Sequence, residues 1–186
     1  MLSETLGKEE VTSAYMKTSD GYISFGATYF TQDYPQYFRN IELARYDDNF
    51  NLTKSVRHGD TTEFYYTTYG LIRHFNYNYS IGYKLYNNND TAYGYLLKFD
   101  DSLNVIWEKR YLTNEKDFRP FNMLLKNDII YFSGAYSSPP NYNNVALIAC
   151  DTSGSVVWQI FFGIPTISER FLYLSPTSDN GFILTT

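Results

Sequence analysis

Apolar positions along the chain come in short runs separated by polar residues typical of turns. Tyr22-Ile-Ser-Phe-Gly26, Tyr79-Ser-Ile-Gly82, Tyr131-Phe-Ser-Gly134 and Phe182-Ile-Leu-Thr185 are aromatic-aliphatic runs of strand length. Asp20-Gly21, Asn127-Asp128 and Asn180-Gly181 sit beside them as hairpin signals. No ten-residue stretch carries an apolar stripe at helical spacing, so the pattern predicts an all-β chain.

The runs recur in phase. Ile41-Glu-Leu-Ala-Arg-Tyr-Asp47, Gly94-Tyr-Leu-Leu-Lys-Phe-Asp100 and Val145-Ala-Leu-Ile-Ala-Cys-Asp151 align on aspartates 53 and 51 residues apart. Leu43, Leu96 and Leu147 stand four positions before each Asp, and Leu52, Val105 and Val156 five after. Trp107 and Trp158 share a register seven residues past the Asp, where the first unit has Lys54. A further marker series, Val11, Phe64, Phe118 and Phe171, keeps the same period. The expected units are 11–63, 64–117, 118–170 and an incomplete 171–186.

Each unit reads as four antiparallel strands, the third apolar at nearly every position because both of its faces are covered. A period of about 53 residues with four strands is that of a β-propeller blade, so the expected architecture is a propeller segment of about 3.5 blades. The length is short for a ring of about 4–8 such blades, which makes a piece of a longer array the expectation, with neighbouring blades in the rest of the chain.

Composition narrows the function classes. At 44% hydrophobic, 19% aromatic and 19% charged residues, wholesale disorder is excluded. The net charge of −5 with scattered Lys and Arg offers no basic patch for nucleic acid. No apolar run approaches the ~18 residues of a membrane-spanning helix, so no membrane insertion is expected. The single cysteine, Cys150, lies in an apolar run and reads as a small buried hydrophobe. The first ten residues are acidic, without an apolar stretch, and do not read as a signal peptide, which leaves a cytoplasmic protein, a removed leader or an excised fragment as the expectations.

Ala149-Cys-Asp-Thr-Ser-Gly-Ser-Val-Val-Trp158 resembles the repeat of pyrroloquinoline-quinone-like (PQQ-like, quinoprotein-type) propellers, in which Asp, a Gly-containing turn and Trp recur. It is closer to the divergent propeller repeats of secreted Bacteroidota proteins, and Asp20-Gly-Tyr-Ile23 and Asp179-Asn-Gly-Phe-Ile183 match their second half. The resemblance implies a secreted or cell-surface bacterial protein and a Trp docked between blades. No position matches the quinone- and metal-binding residues of that family, so no cofactor and no metal are expected. The turn position held by Gly154 is Leu103 and Phe50 in the other units, which predicts a different turn geometry there.

Asp47, Asp100 and Asp151 are read as turn residues whose carboxylates accept backbone N–H groups, and Trp107 and Trp158 as wedges between sheets. His58 and His74 lack metal-ligand neighbours in sequence. Asp33, Glu42 and Glu115 are conceivable acid and base partners, with solvated loops the default reading. No catalytic residue is assigned. The candidate binding surface is the set of Tyr/Asn-rich segments: Tyr34, Tyr37, Tyr86, Asn88, Tyr142 and Asn143, with Tyr65, Tyr66 and Tyr69 beside them. Tyr supplies rigid contact area at low entropy cost and Asn adaptable hydrogen bonds. The expected function is a non-catalytic scaffold or binding module whose loops contact a protein or glycan. The alternatives are a propeller enzyme, quinoprotein-like or glycosidase, with axial residues partly outside this chain, and a cytoplasmic protein-assembly propeller.

Overall fold

In the computed structural model, the described residues are 8–30, 39–59, 63–86, 92–111, 117–138, 142–163, 173–179 and 181–185. They form fourteen strands and no helix. Sheet 1 contains β1 (Lys8–Thr18), β2 (Gly21–Phe30), β3 (Arg39–Tyr46) and β4 (Leu52–His58). Sheet 2 contains β5 (Glu63–His74), β6 (Tyr77–Tyr86), β7 (Ala92–Asp100) and β8 (Val105–Tyr111). Sheet 3 contains β9 (Phe118–Lys126), β10 (Ile129–Ser138), β11 (Tyr142–Asp151) and β12 (Val156–Phe162). The hairpin β13 (Tyr173–Pro176) and β14 (Phe182–Thr185) follows. Every pairing is antiparallel between sequence neighbours.

The three sheets are copies in backbone detail. Gly26, Gly82 and Gly134 each lie opposite an irregularity in the first strand of their sheet. The fourth strand carries one extra residue opposite the end of the third in every sheet, namely Thr53, Ile106 and Val157. Such a bulge bends the strand at a set place and leaves the extra residue unpaired.

Successive sheets pack face to face. Ile23, Phe25, Ile41 and Leu43 of sheet 1 meet Tyr65, Tyr95, Leu97, Phe99 and Leu103 of sheet 2 in one buried cluster. Tyr79, Ile81, Leu96 and Tyr111 of sheet 2 meet Phe118, Met123, Ile130, Phe132, Ala146, Ile148 and Cys150 of sheet 3 in the other. The first strand of each unit lies on the sheet before it: β5 on β1, β2 and β3; β9 on β5, β6 and β7; β13 on β9 and β10. The third strands are buried on both faces because they are sandwiched this way, with Leu96 and Leu97 both inaccessible. No helix among the described residues is long and apolar enough to cross a membrane.

The marker series shifts by one in opposite directions in sheets 1 and 2, where Val11 pairs one residue beyond Gly26 and Phe64 three beyond Gly82. Phe118 pairs two residues beyond Gly134, and the matching partner beyond Gly82 is Tyr65, the residue after Phe64. Tyr65 and Phe118 are both core residues, whereas Phe64 is half-buried. Phe171 lies outside the described residues.

Candidate functional site

The three Asp turns are the most regular chemistry in the molecule. Asp47 Oδ1 accepts the N–H groups of Asn49 and Asn51, each at 2.8 Å. Asp151 Oδ1 does the same for Ser153 at 2.8 Å and Ser155 at 2.9 Å. Asp100 Oδ1 takes the Asn104 N–H at 2.8 Å. Each main chain closes the turn twice more, as in Leu103 N–H to Asp100 O at 3.0 Å and Gly154 N–H to Asp151 O at 2.8 Å. The expectation of a different geometry at Leu103 and Phe50 is overturned. Their φ angles are +64° and +60°, beside +80° for Gly154. All three turns share one backbone shape, and the side chains accept a conformation that disfavours a Cβ.

The Asp100 and Asp151 turns also dock on the preceding sheet through their carbonyls. Arg45 Nη1 donates to Asp101 O at 2.5 Å and Lys54 Nζ to Ser102 O at 2.7 Å. Tyr79 Oη donates to Thr152 O at 3.1 Å and Tyr111 Oη to Gly154 O at 2.7 Å. Lys54 thus does by hydrogen bonding what Trp107 does by contact: a Cβ at Gly154 would stand 2.9 Å from Trp107 Cη2. Trp107 is half-buried against the sheet 2–3 core, and Trp158 lies 5.8 Å from Tyr131, which in turn touches Phe182 of the hairpin.

A second constellation was not legible in the sequence. At the sheet 1–2 contact, Glu108 on β8 receives Lys84 Nζ on Oε1 at 2.5 Å and faces His58 Nε2 through Oε2 at 2.9 Å. Lys84 also donates to Tyr65 Oη at 2.6 Å, and its ammonium sits 4.1 Å from the Tyr65 ring centroid. Lys84 is 2% exposed, and the Glu108 side chain 13%. Burial alone pushes the Glu108 carboxyl up, but the hydrogen bonds from His58 and Lys84 outweigh it and hold the group below its ordinary value. Burial, with Glu108 and Tyr65 nearby, drives the Tyr95 hydroxyl well above the usual phenol range. Both oxygens of Glu108 are engaged: the Lys84–Glu108 pair ties β6 to β8 within sheet 2, and His58 of sheet 1 reaches the same carboxylate across the contact. The residues come from four strands of two sheets, which is why spacing alone did not reveal them.

Glu42 is also no loop residue. It lies on β3, buried, accepting the Thr28 hydroxyl and standing 3.4 Å from Arg57 Nε. Asp33 and Glu115 lie outside the described residues. His74 meets Asp128 across the sheet 2–3 contact at 2.8 Å. Cys150 is fully buried, and burial pushes its thiol up to about 11. Among the described residues, no three His, Cys, Asp or Glu side chains are placed to hold a metal ion.

Of the Tyr/Asn surface, Tyr34, Tyr37 and Asn88 lie outside the described residues, as do the side chains of Tyr69, Tyr86, Tyr142 and Asn143. Tyr86 ends β6, and Tyr142 and Asn143 open β11. Tyr65 is a correction: it is buried in the sheet 1–2 core, not on a binding loop. Tyr66 is half-buried and stacks on Tyr83 with centroids 4.7 Å apart. Topology groups the remainder, since within each sheet the loop between its second and third strands leaves from the end opposite the Asp turn. No family model matches the chain, and no curated protein matches it.

Proposed function

We propose that the chain is a β-propeller segment, akin to PQQ-like propellers, that serves a secreted or cell-surface bacterial protein as a non-catalytic scaffold and binding module. The observation that carries this reading is the copying of one sheet three times, with each leading strand laid on the sheet before. That succession is how propeller blades follow one another. Repetition of this kind makes a rigid platform and leaves the variable loops at one end of each sheet as the place for recognition. The loops carrying Tyr34, Tyr37 and Asn88, with Tyr86, Tyr142 and Asn143 at strand ends beside such loops, contact a protein or glycan partner.

Probing the chain on glycan and protein arrays tests the reading. The expected result is saturable binding without chemical change of the partner, lost in the double variant Tyr34→Ala/Tyr37→Ala. Turnover of an arrayed glycan, with no loss in that variant, overturns it.

A further inference from the structure

Among the described residues, the last strand of each sheet has a neighbour on one side only, so one row of its backbone N–H and C=O groups faces away from the sheet. These strands are β4, β8 and β12, and their side chains differ in kind. β4 reads Leu-Thr-Lys-Ser-Val-Arg-His and carries Lys54 and Arg57. β8 reads Val-Ile-Trp-Glu-Lys-Arg-Tyr and carries Glu108, Lys109 and Arg110. Charges on an edge strand oppose the addition of a foreign strand, because pairing would strip their water. β12 reads Val-Val-Trp-Gln-Ile-Phe-Phe. It has no charge, no Pro and no Gly, and no charged residue occurs from Thr152 to Ser168. The pairing register sets Trp158, Ile160 and Phe162 where β8 has Trp107, Lys109 and Tyr111, so the lysine of the sister edge is an isoleucine here.

The unguarded strand is also exposed, with Val156, Val157, Ile160 and Phe162 between 42% and 56% accessible. An uncharged edge of β-branched and aromatic residues is the pattern that templates further strand pairing. Its natural occupant is extended backbone, because a strand meets the whole row of donors and acceptors at their own spacing. The side chains say which strand. The bulge at Val157 confines regular pairing to Trp158–Phe162, whose middle residue is Ile160. Antiparallel pairing of this stretch with a second copy sets Ile160 opposite Ile160 and, twice over, Trp158 opposite Phe162, all on one face. Cross-strand pairs of aromatic and β-branched residues stabilise a sheet, and no like charges meet. The same operation on β8 would set Lys109 against Lys109.

We propose that β12 is a self-association edge: two copies of the chain pair their β12 strands antiparallel about a two-fold axis at Ile160, joining sheet 3 of one copy to sheet 3 of the other. A contact of this kind uses the same edge on both copies and therefore closes at the dimer. Five paired residues a side make a small contact beside the ~1,600 Å² of a standard interface, so the dimer is weak and forms as concentration rises. None of the residues of the loop-binding reading lies on β12, so the two proposals fail or succeed separately.

Sedimentation velocity of the chain from about 5 μM to about 500 μM provides the test, a range that detects affinities down to the millimolar level. The mass is expected to rise from monomer towards dimer and to stop there. Ile160→Lys installs the residue of the sister edge and should weaken the dimer at least about tenfold. A short bis-maleimide should join Ile160→Cys chains into covalent dimers and leave Lys109→Cys chains, altered at the same register of β8, as monomers. Cys150 is buried and does not compete for the reagent. Near-UV circular dichroism matching the parent certifies the fold of each variant, and the cysteine pair decides where the lysine variant does not fold. The proposal is overturned if the chain stays monomeric throughout, if folded Ile160→Lys associates as the parent does, or if the two cysteine variants crosslink alike. Growth past the dimer overturns it as well, since the contact would then be an apolar face that does not close.

Discussion

At the residue scale, the strained position of each Asp turn is offset differently in each copy. Gly154 meets the positive φ without a Cβ, Leu103 pays with full burial among Ile23, Phe25, Ile41 and Leu43, and Phe50 has only its stack on Tyr22. Leu103→Gly should therefore lower stability by about 2 kcal/mol, because lost burial exceeds the relief of strain. Phe50→Gly should change it by less than about 0.5 kcal/mol, relief and lost stacking nearly cancelling. Urea denaturation followed by Trp fluorescence separates the two. The turn carboxylates carry a pH signature as well. The Ser153 hydroxyl and the Ser155 and Ser153 N–H groups hold Asp151 below its ordinary value, and the Asn51 side chain and N–H do so for Asp47. Groups with a lowered native pKa contribute stability above their unfolded value and lose it as pH falls through the native one. The urea midpoint should hold from pH 7 to about 5 and then drop below about pH 4.

At the element scale, the sheet 1–2 and sheet 2–3 contacts are built from the same register positions with different chemistry. Lys84 and Glu108 of sheet 2 and His58 of sheet 1 correspond in pairing to Tyr136 and Gln159 of sheet 3 and Tyr111 of sheet 2 at the next contact. Tyr136 packs on Phe161 there, with centroids 5.3 Å apart. Glu108→Ala leaves the Lys84 ammonium buried without its carboxylate and should cost about 3 kcal/mol. The double variant Lys84→Tyr/Glu108→Gln imports the sister residues and removes both charges together, so it should recover more than half of that loss. Thermal unfolding of the three proteins measures it, and a double variant no better than Glu108→Ala would show that the loss comes from the missing carboxylate contacts and not from a stranded buried charge.

At the scale of the whole molecule, Cys150 reports on the integrity of the sheet 2–3 contact. Its thiol is buried among Tyr111, Phe132 and Ile148 and raised to about 11, so the nucleophilic thiolate is scarce and shielded at neutral pH. Native protein should react with an aromatic disulfide reagent at least about a hundredfold more slowly than urea-unfolded protein. The modification rate across a urea series should follow the global unfolding curve. Fast labelling well below the midpoint would mean that sheets 2 and 3 part before the rest unfolds.

The amino-acid order by itself determined the strands, their period and the Asp turns, because these depend on local alternation and on hydrogen bonds between residues two and four apart. It also placed Cys150 and the third strands inside, since an uninterrupted apolar run has few other places to go. Tertiary structure alone decided which polar residues leave water. Lys84, Glu108 and Glu42 look like ordinary surface charges in the chain, and only the stacking of one sheet on another buried the first two beneath a neighbour, while the Thr28 hydroxyl and Arg57 hold the third against sheet 1. Burial of that kind depends on contacts across dozens of residues, which no short-range pattern encodes.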